Sequence, residues 1–557
     1  MSQIIYTNND SLRQQYNDNI HNSVNQDYGQ KIEVLPISQA TLLPCALPKF
    51  EEVNHDIPNM DYPDLRTDYK TYDGLYVTLW HCSSFKKPAP SLHNLQGMYY
   101  YRLHKPQNTS SDLVMIARAK NQLWQIDAKQ EWVHEEWMKS LKTKQLLLFK
   151  KTYQRLEVGD YDQAIKVQNK CDEKITGKSK FVTRPVFDCS GSFFALLGPL
   201  IKTMSHRLAY DVFDYTGTKQ PTITIGLNGN LRVYFTCGAT STTLAKFFND
   251  SLYLTDTVSM LVMGDDLAII NNYFPNWPKF IESDFSKFDR SQNKMVLSIW
   301  YHFLRSQGFN EEADKFEELM TMPLNVRHRH TDMENLWKKE HKLDMMYTGQ
   351  PATCLSNSII NIKTTMTALE EQGDLANSYL KMGLTAKILF SDTADITFLK
   401  GVFLETCDSD YIWMRLPSFI AKIGATCTGA SHVYPNKYTE QQKVELMLWA
   451  QWLGFGAPQS NWFYKRIHKN LVRLTQSIQK IDRTEIVVLK ENVSEYGVVK
   501  DDKKWIPDHI FNAFMLKRYN LDLFDLQNYC RHMEMIPHIP VLVSHPIIQI
   551  MIDRDYG

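Results

Sequence analysis

Two adjacent carboxylates stand in the middle of an apolar run, Met260-Leu-Val-Met-Gly-Asp-Asp-Leu-Ala-Ile-Ile270, and this leaves few folds open to the chain. Residues 258–263 and 267–270 have the continuous apolar character of buried strands, and Gly264 offers the permissive backbone of a tight turn. A hairpin is therefore expected, with Asp265 and Asp266 pushed out at its tip. Two like charges held at the end of hydrophobic strands repel each other unless a cation lies between them, so a divalent metal is the natural ligand. An ordinary polar turn has the same local composition, and the triplet alone does not separate the two readings.

With 557 residues, 43% of them hydrophobic, the chain can bury a large core and should divide into roughly three or four domains or subdomains. Lys plus Arg equals Asp plus Glu at 62 each, so any nucleic acid must be met by local basic patches rather than by net charge. The nine cysteines are scattered singly, without a CxxC pair or a His/Cys cluster at zinc spacing. That pattern points to reduced thiols in a cytosolic setting and away from structural zinc. No stretch approaches the ~20 uninterrupted apolar residues of a spanning helix. The polar start, Met1-Ser-Gln-Ile-Ile-Tyr-Thr-Asn-Asn-Asp, lacks a signal-peptide core, so membrane contact would be peripheral.

Residues 1–35, rich in Asn, Gln, Asp and Tyr, read as an arm without chemistry of its own. Over 112–155, Leu113, Ile116, Trp132, Trp137, Leu141, Leu146 and Leu147 recur at helical spacing. Residues 221–234 read as a hairpin turning at Asn228-Gly229. After about Val402 the chain becomes helix-rich, with amphipathic candidates over 441–453 and 462–478 and no internal repeat.

Directly after the apolar hairpin, Lys279-Phe-Ile-Glu-Ser-Asp-Phe-Ser-Lys-Phe-Asp-Arg290 predicts a short strand delivering Asp284, then a helix running to about Gly308. If that strand lies beside the hairpin, Asp284 faces Asp265 and supplies the second wall of a site for two metals roughly 3.5–4 Å apart. Asp289 is then displaced toward an incoming substrate. Equally, Asp289 suits a helix-start carboxylate and Asp284 a turn residue. Thr348-Gly-Gln-Pro-Ala-Thr-Cys-Leu-Ser-Asn357 predicts a loop leading into an apolar helix that stops near Gly373. Thr353 and Asn357, at i and i+4, share a face able to offer hydroxyl and amide to a ribose, and Gly349 permits close approach to a template backbone. A capped core helix would read the same way. Lys178, Lys180 and Arg184 alternate along an extended segment, a row suited to a triphosphate or to a solvated face.

Taken together, Asp284-x4-Asp289, Thr348-Gly-x3-Thr-x3-Asn357 and Gly264-Asp-Asp266 resemble motifs A, B and C of the palm of viral RNA-dependent RNA polymerases. Tyr379-Leu-Lys-Met-Gly-Leu-Thr-Ala-Lys387 resembles motif D, Phe398-Leu-Lys-Gly401 motif E, and the row from Lys178 to Arg184 motif F. The usual order is A, B, C, whereas this chain runs C, A, B, D. It is therefore similar to the permuted polymerases of permutotetraviruses and, more distantly, birnaviruses, which resemble Ala-Asp-Asn at the place of the intact Gly-Asp-Asp. The segment 271–278 would be the link that permutation requires.

The resemblance implies an α+β right-hand fold with an antiparallel palm sheet and a permuted motif order. Its expected parts are an N-terminal arm and extension over 1–110, fingers over 111–257, palm over 258–290 and 348–403, an insertion over 291–347 and a thumb over 404–557. It implies an RNA-directed RNA polymerase replicating and transcribing a viral genome, with Asp265, Asp266 and Asp284 holding two Mg2+ (or Mn2+) ions. Asp289 with Asn357 would select the ribose 2′-hydroxyl, Gly349 and Thr353 would support the substrate, and Lys178, Lys180 and Arg184 would meet the triphosphate. Lys387 would protonate the departing pyrophosphate. Implied partners are RNA template and product, nucleoside triphosphates and other replication proteins, in host cytoplasm, the virion or at the periphery of replication membranes. Relatives of both permuted groups attach a nucleotide to their own polypeptide, which implies an acceptor hydroxyl in the arm, where Ser2, Ser11, Ser23 and several tyrosines are candidates. Two rivals stay open: a reverse transcriptase or DNA polymerase, from which a bulky steric gate near Asp289 would be expected, and a noncatalytic RNA-binding scaffold.

Overall fold

The computed structural model describes residues 91–104, 111–122, 165–170, 182–189, 191–208, 229–326, 345–371, 374–391, 393–423, 438–453, 460–478, 504–537 and 545–556, with short stretches between 65 and 154 and at 223–225 and 337–339. The N-terminal arm with its candidate acceptors, and Lys178 and Lys180, lie outside the described residues.

After a short antiparallel pair, Leu65–Arg66 with Lys87–Pro88, the strands used below are, in chain order, β1 (Ile165–Asn169), β2 (Pro185–Asp188), β3 (Ile223–Ile225) and β4 (Gly229–Phe235). The 260–285 region supplies β5 (Thr257–Met263), β6 (Asp266–Asn271) and β7 (Phe280–Phe285). Then follow β8 (Leu324–Val326), β9 (Trp337–Lys339), β10 (Ala386–Ser391), β11 (Thr397–Phe398), β12 (Gly401–Glu405) and β13 (Tyr411–Arg415). The helices used below are α1 (Leu113–Asn121), α2 (Gly191–Arg207), α3 (Ser241–Leu252), α4 (Lys294–Ser306), α5 (Asn310–Met320), α6 (Thr353–Glu370) and α7 (Leu375–Lys381).

The central element is a six-stranded sheet in the order β10-β7-β6-β5-β4-β3, antiparallel except for the parallel pair β4 and β5. That parallel pair is joined by α3, the crossover such a pair requires. A second sheet, β9-β8-β1-β2, is also mixed, and a third, β11-β12-β13, is antiparallel. The architecture is thus mixed α and β with antiparallel and mixed sheets, in keeping with the α+β class.

Continuous apolar runs in β5 and β6 follow from a sheet covered on both faces. Met260, Val262, Leu267 and Ile269 enter the large core shared with α4, α5, α6 and α7. Their alternates Leu261, Ala268 and Ile270 enter a smaller aromatic core with Phe247, Phe248, Phe403 and Trp413. Phe248 stacks on Phe403 at 4.1 Å and so ties α3 to β12. The third sheet repeats the division: Phe403 and Trp413 face the aromatic core, while Val402, Leu404, Ile412 and Met414 face a separate C-terminal core built around Trp452, Tyr464, Phe511 and Tyr529. The expected boundary between 403 and 404 therefore falls inside β12.

Two local expectations are refined. Asp284 is delivered by a strand as expected, but no single helix follows it. A short turn of helix, Phe288–Ser291, ends at Gln292, and α4 begins afresh because the Asn293 side chain accepts from the backbone N–H groups of Met295 and Val296. The 221–234 hairpin forms with Gly229 already in strand β4, paired with Ile225; residues 226–228 lie outside the described set. The helices expected over 441–453 and 462–478 are Glu440–Leu453 and Trp462–Leu474, the latter followed by a 3-10 turn. Among the described residues, no helix is long and apolar enough to cross a membrane.

Candidate functional site

Register across three neighbouring strands assembles the site. Met263 pairs with Asp266 across a two-residue turn, Gly264-Asp265, in which Gly264 takes φ +63°. That backbone is the reason a glycine stands there, since a side chain at positive φ costs about 1 kcal/mol or more. Asp266 pairs with Asp284 of β7, and Asp284 pairs on its other side with Lys387 of β10. Directly opposed residues share a sheet face, so Asp266, Asp284 and Lys387 form one row. The expectation that Asp284 would face Asp265 is thus corrected by one position: its cross-strand partner is Asp266, because the turn consumes only two residues. Asp265 still exerts the strongest influence of any charged group on Asp284.

The electrostatics express this crowding. Burial first, then the charges of Asp265 and Asp284, push the Asp266 carboxyl up to about 7. Burial and then Asp265 push Asp284 up to about 6, against the opposing pull of Lys400 and Lys387. Asp265 is raised by burial and by Asp289, while Arg184 and Lys400 draw it down. Asp265 and Asp284 are nevertheless open to solvent, whereas Asp266 is half-buried. Carboxylates reachable by solvent yet crowded by protein and by each other can admit a cation from outside. Among the described residues no three His, Cys, Asp or Glu groups converge as a finished ligand set. The donor chemistry still fits a hard divalent ion, because the three groups are carboxylate oxygens whose repulsion such an ion relieves.

Helix α6 holds the turn from the opposite face. Ser358 Oγ accepts the Gly264 N–H at 2.8 Å, and Asn361 Nδ2 donates to the carbonyls of Gly264 at 3.0 Å and Asp265 at 3.4 Å. Asn361 is itself braced by Thr365, whose hydroxyl donates to Asn361 Oδ1 at 3.2 Å and lies 2.8 Å from the Tyr379 hydroxyl. Three backbone groups of the turn are thereby paired. Asn361→Leu should cost about 1–3 kcal/mol, seen as a lowered unfolding midpoint. An unchanged midpoint would show that the clamp contributes nothing.

The remaining predicted residues gather around the start of α6, each with its own partner. Asp289 Oδ2 accepts from Thr348 Oγ1 at 3.2 Å, and its carbonyl accepts from Met346 N–H at 2.8 Å. Asn357 Oδ1 accepts from Nε2 of the fully buried Gln292 at 2.9 Å, which leaves the Asn357 amide N–H groups to donate elsewhere. Thr353 faces its own loop, accepting from Gly349 N–H at 3.1 Å and donating to Gln350 O at 2.9 Å. Gly349, at φ +115°, does make a close backbone approach, but to protein: a Cβ there would lie 2.4 Å from the Phe187 carbonyl of β2. The loop also bonds that strand, the Phe187 N–H donating to the Thr348 carbonyl at 3.1 Å. Arg184 stands at the entry to β2, near enough to Asp265 to stabilise its charge.

Four contributors escaped the sequence reading. Ser358 and Asn361, at i and i+3, are fully buried polar residues, two of several along α6. Gln292 gave no signal. Lys400 belongs to the Phe398-Leu-Lys-Gly401 segment, where the sequence gives it no distinguishing mark. It sits with Leu399 at the tip of the β11-β12 hairpin, at φ +57° and +52°, the paired left-handed conformation of a tight hairpin turn. Neither residue is Gly or Asn, so the turn carries backbone strain on the order of 1–3 kcal/mol per residue. Trp413 helps impose it: Nε1 donates to the Phe398 carbonyl at 2.9 Å, and its ring lies where a Cβ on Gly401 would be. The result is an ammonium whose charge reaches Asp265, Asp266 and Asp284 together.

No protein-family model matches the chain, and no curated protein matches it.

Proposed function

We propose that the protein is an RNA-directed RNA polymerase whose palm carries its motifs in the order C, A, B, with the six-stranded sheet as palm, the C-terminal helical core as thumb, and host cytoplasm as the place of viral RNA replication. The observation that carries this reading is the row Asp266-Asp284-Lys387 on adjacent strands, with Asp265 on the turn beside it. Such a row sets acidic and basic groups side by side where phosphoryl transfer needs both.

Divalent cations held by Asp265, Asp284 and Asp266 would supply neutralisation of the charge that builds on the attacking hydroxyl and the departing pyrophosphate. The chain's own groups do the rest. The 3′-hydroxyl oxygen of the growing RNA gives up its proton to solvent and bonds to the α-phosphorus of a nucleoside triphosphate as the bond to pyrophosphate breaks. Lys387 holds a proton for the leaving group, and Arg184 supports the triphosphate. Asn357, oriented by Gln292, offers its amide N–H to the ribose 2′-hydroxyl while Asp289, held by Thr348, accepts from it. A deoxyribonucleotide would leave that pair unpaired, at a penalty of about 1–3 kcal/mol.

Asp289→Ala should accordingly reduce the preference for ribonucleotides over deoxyribonucleotides by about tenfold, measured as the ratio of single-nucleotide incorporation rates. Unchanged discrimination would remove the role assigned to Asp289. The function itself is tested by pyrophosphate release from ribonucleoside triphosphates on a defined RNA template with Mg2+ or Mn2+. Preferential use of deoxyribonucleotides would reassign the site to DNA synthesis, and RNA binding without turnover would reassign it to a scaffold.

A further inference from the structure

At the start of β7, roughly 13 Å along the strand from Asp284, a cavity of about 830 Å³ lies between the sheets and the C-terminal helix Asp508–Tyr519. One wall is aromatic. Phe280, Phe403 and Tyr411 surround the fully buried Phe248 of α3, with ring centroids 5.9, 4.1 and 5.3 Å from its own. Asn249, next in α3, fixes Tyr411 by accepting its N–H and donating to its carbonyl, each at 2.8 Å. Ile510, Ala513 and Phe514 of the C-terminal helix form the facing wall. Two apolar walls, one of them a fixed aromatic cluster, suit a planar aromatic group. Tyr253, which also lines the cavity, is 77% exposed, so the space is reachable from solvent.

The charged side chains of the lining are unevenly used. Lys517 donates to Asp395 Oδ2 at 2.9 Å and to Thr393 Oγ1 at 3.0 Å, so its charge is already met. Lys279 and Glu405 line the same cavity, and among the described residues neither enters an ion pair. Lys279 Nζ lies 5.8 Å from the Phe280 ring centroid. Glu405 is paired directly with Tyr411 across β12 and β13, and both share a sheet face with Phe403. A carboxylate beside a phenol ring receives an ammonium, and the lysine receives a carboxylate.

We propose that this cavity binds a small aromatic zwitterion of the α-amino-acid class, its ring between the Phe280–Phe403 wall and Phe514, its ammonium on Glu405 and Tyr411, and its carboxylate on Lys279. An aromatic acid or an aromatic amine would meet one of the two charges and leave the other without a counter-charge. Occupancy joins the sheets to the C-terminal core and stabilises the folded state by mass action. The site shares no residue with the carboxylate row and does not depend on the polymerase reading.

Equilibrium dialysis of the full chain against labelled L-tryptophan should show saturable binding. Tryptamine, which lacks the carboxylate, and indole-3-propionate, which lacks the ammonium, should each bind about fivefold more weakly, the worth of one solvent-exposed ion pair. Lys279→Met should reduce tryptophan to the level of tryptamine and leave tryptamine unchanged. Glu405→Gln should reduce tryptophan to the level of indole-3-propionate and leave that ligand unchanged. Both rim variants should keep the parent's unfolding midpoint in the absence of ligand. Ala513→Trp, which fills the slot, should abolish binding of all three, and tryptophan should raise the unfolding midpoint of the parent but not of this variant. No saturable binding at millimolar tryptophan, equal binding of the three ligands, or tryptophan binding untouched by both rim substitutions would overturn the proposal.

Discussion

Replacing Asp284 or Asp265 by Ala is expected to lower nucleotide incorporation by about a thousandfold or more, because in the proposed reaction each removes a carboxylate that would take part in charge neutralisation. The two positions are informative for different reasons. Asp284 stands in β7 between Asp266 and Lys387, so its loss interrupts the row at its middle. Asp265 is on the turn, and its charge acts on both other carboxylates. Folding should survive both changes, since each side chain is open to solvent and each substitution relieves repulsion. Incorporation rates and unfolding midpoints measured on the same preparations separate the effects. A double Asp265→Ala, Asp284→Ala variant that still incorporates nucleotides would sink the assignment.

The second large effect concerns stability without metal. Asp266 is raised to about 7 and Asp284 to about 6, above the ordinary carboxylate range that both occupy in the unfolded chain. The folded protein then binds more protons than the unfolded chain between about pH 4 and pH 7. The stability that these two groups contribute is therefore fully present below about pH 4 and is lost as pH rises through those folded values. With chelator present, unfolding midpoints should fall across that window, and Asp266→Asn should abolish much of the fall. At pH 8 that variant should be more stable than the parent by on the order of 2 kcal/mol, after allowance for solvent screening. Added Mg2+ or Mn2+ should restore the parent at pH 8 and help the variant less, since a ligand stabilises the state that binds it. A flat pH profile, or an Asp266→Asn protein less stable than the parent at pH 8, would contradict this picture.

What was legible in the sequence was local and periodic. The hairpin around Gly264 could be read because its strands are apolar on both faces, and the Asp284 strand because it follows at once through a loop closed by Asn271, whose side chain bonds the backbone of Tyr273, Phe274 and Trp277. Less legible was anything set by tertiary register. Whether Asp265 or Asp266 opposes Asp284 depends on turn length to a single residue, and a slip of one exchanges the faces of a strand. Gly349 advertised a close approach but not its partner, because Phe187 arrives from a strand far away in sequence. Lys400 depends on a strained turn held by Trp413.

If the carboxylate row directs template-dependent RNA synthesis as proposed, purified protein offered homopolymeric RNA templates with Mg2+ and each labelled ribonucleoside triphosphate in turn should change the nucleotide it incorporates whenever the template base changes. Asp284→Ala should remove incorporation on every template. Incorporation indifferent to template, or none from folded protein with either Mg2+ or Mn2+, would refute the proposal.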